Sequence, residues 1–126
     1  KAQEVFLGGQ ALGFLKEDDP DELRQIFLDL CYLITEPFAL PLDPLKHSLP
    51  TNPFMSSNGE YDWGKSDLPQ RVARQGALMI SQFRFRTPPQ EVIFIDRKLG
   101  GTFTFLNRLG AVINARPLLE SYLEPL

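Results

Sequence analysis

One cysteine, Cys31, and one histidine, His47, are all that this 126-residue chain contains of the side chains that most often bind transition metals. A single cysteine excludes an intrachain disulfide and fits a reducing compartment. Cys31 falls in a helical pattern among Leu30, Tyr32 and Leu33, whereas His47 lies in a proline-rich stretch. The thiol therefore reads as a buried structural group, and neither a metal cluster nor a Cys–His nucleophile pair is expected. The first residues lack the basic stretch and apolar run of a signal peptide. No apolar run approaches the ~20 residues that a membrane span needs. Basic runs are short and no aromatics alternate with them, which argues against a nucleic-acid partner. Phosphate-cradling loops are missing too. Gly8-Gly9 and Gly100-Gly101 match neither the GxGxxG nor the GxxxxGK[ST] spacing.

What is present is ordinary for a globular chain: 43% hydrophobic and 23% charged residues. That is enough for one modest core and one domain spanning 1–126. The chain opens on Lys1 rather than Met and reads as a piece of something longer. The net charge of −3 hides an asymmetry. Residues 1–65 carry five Lys/Arg and eleven Asp/Glu, and residues 66–126 carry eight and five. Two solvated faces of opposite sign explain this, and contact of the basic half with another domain or an anionic lipid surface is the alternative.

The pattern along the chain is helical. Residues 1–14 read as a helix tail interrupted by Gly8 and Gly9, each costing roughly 1 kcal/mol against Ala. Asp19-Pro20-Asp21-Glu22 is a helix start, with Asp19 as the capping residue and Pro20 in the first helical position. Leu23, Ile26, Phe27, Leu30, Leu33 and Ile34 then define one buried face, and the helix should stop near Thr35–Glu36. Residues 36–65, with Pro37, Pro41, Pro44, Pro50 and Pro53, are read as a long proline-rich connection. Its Phe38, Leu40, Leu42, Leu45, Phe54 and Met55 should pack down, with short helical turns near Pro44–His47 and Pro53–Ser56. A second long helix is expected from Ser66 to Phe85. Leu68, Val72, Ala73, Gly76, Met79, Ile80 and Phe83 form its stripe, Gly76 marks a close crossing, and Arg71, Arg74 and Gln75 lie on the far side. Thr87-Pro88-Pro89-Gln90 is a capping box that opens a third helix. The stripe of that helix runs through Val92, Ile95, Leu99, Phe103, Leu106 and Leu109, and Gly110 ends it. A short last helix over 115–123 packs Leu118, Leu119, Tyr122 and Leu123. Residues 1–35 and 66–126 are thus helical, giving an all-α, irregular bundle of four to five helices.

Three groups bear on chemistry. Tyr61-Asp62-Trp63-Gly64 looks like the magnesium-holding Asp-Phe-Gly of kinases, but no catalytic loop precedes it. Trp63 is therefore read as a packing anchor, Asp62 as a turn group and Gly64 as the turn. Asp96-Arg97-Lys98 is a charged triplet in an otherwise apolar helix. It is either a solvated face, with Asp96 pairing an Arg of a neighbouring helix, or a polar docking point for another part of the parent protein. Gly100 and Gly101 should let another backbone approach.

The run Thr87-Pro88-Pro89-Gln90-Glu91 through Asp96-Arg97-Lys98-Leu99-Gly100-Gly101 resembles the segment near the end of the AarF/UbiB atypical kinases, which include the mitochondrial ADCK proteins. The resemblance continues through Phe105-Leu106-Asn107-Arg108-Leu109-Gly110-Ala111. Asp62-Trp63-Gly64 resembles that family's turn before the penultimate helix, and Gly13-Phe14-Leu15 its Gly-Phe-Leu step. Two features depart from the pattern: Asp96 stands where the family often has His, and the 36–60 loop is long and proline-rich. The resemblance implies that the chain is the distal part of a protein-kinase-like C-lobe. On that reading the nucleotide-binding Lys, catalytic Asp and magnesium site lie elsewhere in a parent linked to ubiquinone biosynthesis. Catalytic, cofactor-binding and metal residues would then be absent here, with ATP and magnesium belonging to the parent. Pro88, Pro89, Glu91, Asp96, Arg97, Lys98, Gly100, Gly101, Asp62, Trp63 and Gly64 would be docking positions. The partner would be the rest of the parent chain, with a membrane surface as a second candidate. The expected location is cytoplasmic, peripheral to the inner membrane. A free-standing helical protein- or lipid-interaction module is the alternative.

Overall fold

The computed structural model describes residues 2–39, 52–82 and 90–123. The helices are α1 (Ala2–Ala11), α2 (Asp21–Thr35), α3 (Leu68–Ser81), α4 (Gln90–Leu109) and α5 (Arg116–Leu123), with a 3₁₀ turn, Glu36–Phe38, directly after α2. The all-helical expectation holds, with one addition. Tyr61–Asp62 (β1) and Val112–Ile113 (β2) form a small antiparallel ribbon that pairs Tyr61 with Ile113 and Asp62 with Val112. Two residues per strand are too few for alternation to show in a sequence.

The residues at the helix ends explain where the helices stop. Pro20 occupies the N-cap of α2 rather than its first helical position, so the helix begins one residue later than expected, and Pro20 offers no side-chain cap. Asp19 belongs to the preceding turn, where its Oδ2 accepts the Lys16 backbone N–H at 2.7 Å. Helix α3 starts at Leu68, not Ser66, and places Pro69 in its first turn. Ser66 Oγ accepts the Leu68 N–H at 3.0 Å from just outside that helix. Helix α4 stops at Gly110, whose φ of 63° suits a residue without a Cβ. There Gly110 N–H bonds Asn107 O and Ala111 N–H bonds Leu106 O. Residues 83–85, the capping box at Thr87 with Pro88 and Pro89, and His47 with most of the proline-rich connection lie outside the described residues.

The core is two clusters that meet at Leu30. Leu15, Leu23, Ile26, Phe27 and Met79 form the first, on which α1 rests through Val5 and Phe6. Gly9 makes that contact close: a Cβ there would lie 2.8 Å from the Phe27 ring. The second comprises Tyr61, Trp63, Leu68, Val72 and Phe103, flanked by Leu33, Phe54, Leu99 and Leu106. Its aromatics form a row, with ring centroids 6.4 Å apart for Phe54–Tyr61, 5.1 Å for Tyr61–Trp63 and 4.8 Å for Trp63–Phe103. Burying rings of this size contributes up to roughly 4 kcal/mol each at ~25 cal/mol/Å². Trp63 is therefore the packing anchor expected of it.

Other stripe expectations need correction. Ile95 and Leu109 of α4 are exposed, as are Leu118, Tyr122 and Leu123 of α5. Ile95, at 38%, is mostly covered, whereas the others are left largely open by the described residues.

Candidate functional site

The polar centre of the molecule forms where the 3₁₀ turn, β1 and the start of α3 converge. Arg71, one turn into α3, reaches Glu36 with both terminal nitrogens, at 2.8 Å to each carboxylate oxygen. Its Nε also donates to Asp67 Oδ1 at 2.8 Å. The Tyr61 hydroxyl donates to Glu36 Oε2 at 2.5 Å. Because that proton is committed, Ser66 Oγ–H donates to the phenol oxygen at 2.6 Å, and Ser66 Oγ in turn accepts from Leu68 N–H. Five groups from three segments thus hold one another. This overturns the expectation that Arg71 and Gln75 merely face away from the core. Gln75 Nε2 crosses to α2 and donates to Ile26 O at 3.0 Å.

The network shifts the acidity of its members. Burial by itself would raise Glu36. The hydrogen bonds from Arg71 and Tyr61, with the Arg71 charge, outweigh it and leave the carboxyl below its ordinary value. Burial first, then the neighbouring Glu36 carboxylate, pushes the Tyr61 phenol up. The Glu36 hydrogen bond holds the Arg71 guanidinium more firmly protonated.

The Asp62-Trp63-Gly64 turn is clamped from α4. Asn107 Nδ2 donates to Trp63 O at 2.7 Å and to Ser66 O at 3.2 Å, and Trp63 N–H bonds Ala111 O at 2.8 Å. Asp62 Oδ1 accepts Lys65 N–H at 3.2 Å, so it serves as the expected turn group. Gly64 does more than turn: a Cβ there would sit 2.9 Å from Gly110 Cα, so two backbones touch. The Trp63 indole N–H is buried with no hydrogen-bond partner among the described residues. Arg116 fastens α5 to the 3₁₀ turn by donating to Phe38 O at 2.7 Å, and it pairs with Glu120 one turn along its own helix at 2.7 Å.

The charged triplet of α4 divides. Arg97 and Lys98 are exposed, and the Lys98 ammonium lies 5.7 Å over the Phe94 ring. Glu91 is exposed at the start of the helix. Asp96 is half-buried and packs its Oδ1 into the space left by Gly76, which makes the α3–α4 crossing a close one. The ion pair expected between Asp96 and a neighbouring Arg is not formed among the described residues. No described backbone approaches Gly100 or Gly101: nothing described lies within 4 Å of where their Cβ atoms would be.

A pocket of about 300 Å³ opens between α1, α2, α3 and α4. Cys31 and Asp96 interrupt its otherwise apolar lining, and burial pushes the Cys31 thiol up. Among the described residues no three His, Cys, Asp or Glu side chains converge as metal ligands. No described helix is long and apolar enough to cross a membrane.

Glu36, Arg71 and Asn107 were not singled out from the sequence. Their partners lie 25 to 44 positions away, and helical periodicity carries no signal for such pairs. Asn107 did lie inside the quoted family segment, which was the one available pointer.

No model of a known protein family matches the chain, and no solved structure matches it. Among curated proteins, it is 38% identical over 117 residues to the mitochondrial atypical kinase COQ8B of Rattus norvegicus, covering 92% of this chain. It is 24% identical over 113 residues to the mitochondrial atypical kinase COQ8 of Schizosaccharomyces pombe, covering 90%. The chain spans under a fifth of the length of either relative, 19% and 16%. Over that stretch, the sequence belongs with the AarF/UbiB atypical kinases, as the segments at 61–64 and 87–111 first suggested.

Proposed function

We propose that this chain is the non-catalytic, C-terminal helical portion of an AarF/UbiB-type atypical kinase, and that it stabilises the kinase-like C-lobe by packing against the rest of the parent chain. One observation carries the reading. Leu109, Val112, Ile113, Leu118, Tyr122 and Leu123, from the end of α4, β2 and α5, are all exposed, Leu118 at 64% and Tyr122 at 80%. Exposed apolar side chains gathered on consecutive elements mark a surface meant to be covered. Atypical kinase activity, ATP and magnesium, and a link to ubiquinone biosynthesis belong on this reading to the parent. The expected location is cytoplasmic, peripheral to the inner membrane; the mitochondrial relatives favour a mitochondrial setting for that peripheral position.

The experiment is a split-protein assay. The chain is co-expressed with the rat relative from which the matching 117-residue stretch has been removed. Co-purification, with magnesium-dependent ATP hydrolysis only in the complex, is the expected result. Hydrolysis by the chain alone would overturn the non-catalytic role. The free-standing lipid-interaction reading is favoured by the positive balance of residues 66–126 beside this apolar surface. It predicts co-sedimentation with anionic vesicles in preference to neutral ones, and equal sedimentation removes it.

A further inference from the structure

We infer that the outward face of α4 seats an amphipathic helix of the parent chain, one whose apolar stripe is bordered by Asp or Glu side chains. This inference rests on the docking role proposed above and names the chemistry of the partner at a face which that role does not use. Helix α4 carries a repeat on each of two sides. On one side Phe103, with Leu99 and Leu106, packs into the second core cluster. On the opposite side Phe94, Lys98, Gly101, Phe105 and Arg108 follow at alternating steps of four and three, and all five are exposed. That is the seven-residue repeat by which one helix lies along another. Phe94 and Phe105 are 60% and 62% exposed on this line, and exposed rings sharing one face mark a surface that is covered by a partner.

Charge selects the partner. Arg97, Lys98 and Arg108 bring three positive charges to this face, against Glu91 at its N-terminal end. Among the described residues none of the three cations forms an ion pair, and the Lys98 ammonium lies instead 5.7 Å over the Phe94 ring. Carboxylates complement such a face, whereas a basic segment would be repelled. Gly101 favours a helix over an anionic bilayer. It lies between the two rings, which are about 16 Å apart along the helix axis, and nothing described lies within 4 Å of where its Cβ would be. A partner backbone can approach closely there while the rings hold it on either side. A lipid surface gains nothing from a missing side chain, and a mid-helix glycine weakens its own helix.

The test measures the dissociation constant of the complex with the truncated rat relative at low and high salt. Arg97→Glu combined with Lys98→Glu should weaken binding by about tenfold or more and remove most of its salt dependence. Gly101→Leu should weaken it by a similar factor. The free chain with Gly101→Leu should unfold no earlier than wild type, because the position is open and Leu is the better helix former. That separates a lost contact from a lost fold. Gly100→Ala, one position round the helix and off this face, should leave binding unchanged. Wild-type affinity in the charge-reversed or the Gly101→Leu chain overturns the inference and leaves the docking role standing. Failure of the wild-type chain to bind the relative overturns both. If charge reversal spares the complex but abolishes sedimentation with vesicles of phosphatidylcholine and phosphatidylglycerol, the occupant is a membrane and the inference fails.

Discussion

Replacing Glu36 by Gln tests the polar centre with the smallest change of shape. Gln can still accept the Tyr61 hydroxyl, but it loses the charge that Arg71 holds with two bonds of 2.8 Å. Hydrogen bonds to charged groups contribute about 1.5–3 kcal/mol, and exposed ion pairs contribute less than 1. The side chains of Glu36 and Arg71 are 16% and 25% exposed, between those limits. A loss of about 2 kcal/mol follows, read from urea unfolding as a lower midpoint at an unchanged slope. For a domain of this size, that is about 8 °C in Tm. The effect should depend on Arg71. In an Arg71→Met background Glu36 is left without its cation, and the same change to Gln should cost nothing or stabilise. The pH dependence has a definite sign. The folded carboxyl titrates below its ordinary value, so its contribution is complete above the unfolded value of about 4.3. It is lost as pH falls through the lower folded value, and the gap between wild type and Glu36→Gln should close there. A cost below about 0.5 kcal/mol, or one that persists undiminished in the Arg71→Met background, would refute the reasoning.

Further substitutions probe the turn at 62–64 and its clamp, each by thermal or urea unfolding. Gly64→Ala forces a Cβ against the Gly110 backbone and should cost about 1–3 kcal/mol, whereas Gly100→Ala, mid-helix in open space, should gain about 0.5–1 kcal/mol. A shared sign would contradict the contact. Asn107→Ala takes donors from the carbonyls of Trp63 and Ser66 and should cost about 1–2 kcal/mol, with faster amide exchange at Trp63. In Trp63→Phe the lost indole N–H has no partner to leave behind. The cost should therefore stay at about 1–3 kcal/mol of lost packing, well below that of Trp63→Ala.

Much of the fold was legible because helices announce themselves locally. The apolar spacing over 23–34 and the stop at Gly110 each act within a few residues, and both are found. Trp63 was readable as an anchor because a single large ring beside a turn has few other uses. What failed was information held between segments. Arg71 and Gln75 look solvated on a helical wheel, yet their partners come from the turn after α2 and from α2 itself. Gly8 and Gly9 both read as interruptions of a helix tail, yet Gly9 meets the Phe27 ring while nothing described lies within 4 Å of a Cβ at Gly8. Periodicity cannot say which face a neighbour will choose. The stripe on α5 misled in the other direction. Leu118, Tyr122 and Leu123 share a pattern that calls for burial, but nothing described buries them. That mismatch supports a covering partner.

The central claim, that this apolar surface is covered by the remainder of a kinase, is tested most directly by side-chain footprinting with hydroxyl radicals. Modification of Leu118, Tyr122 and Leu123 is compared in the free chain and in the presence of the truncated rat relative. Protection of these three with Tyr32 and Leu78 unchanged is the predicted result. Equal modification in both samples would contradict it.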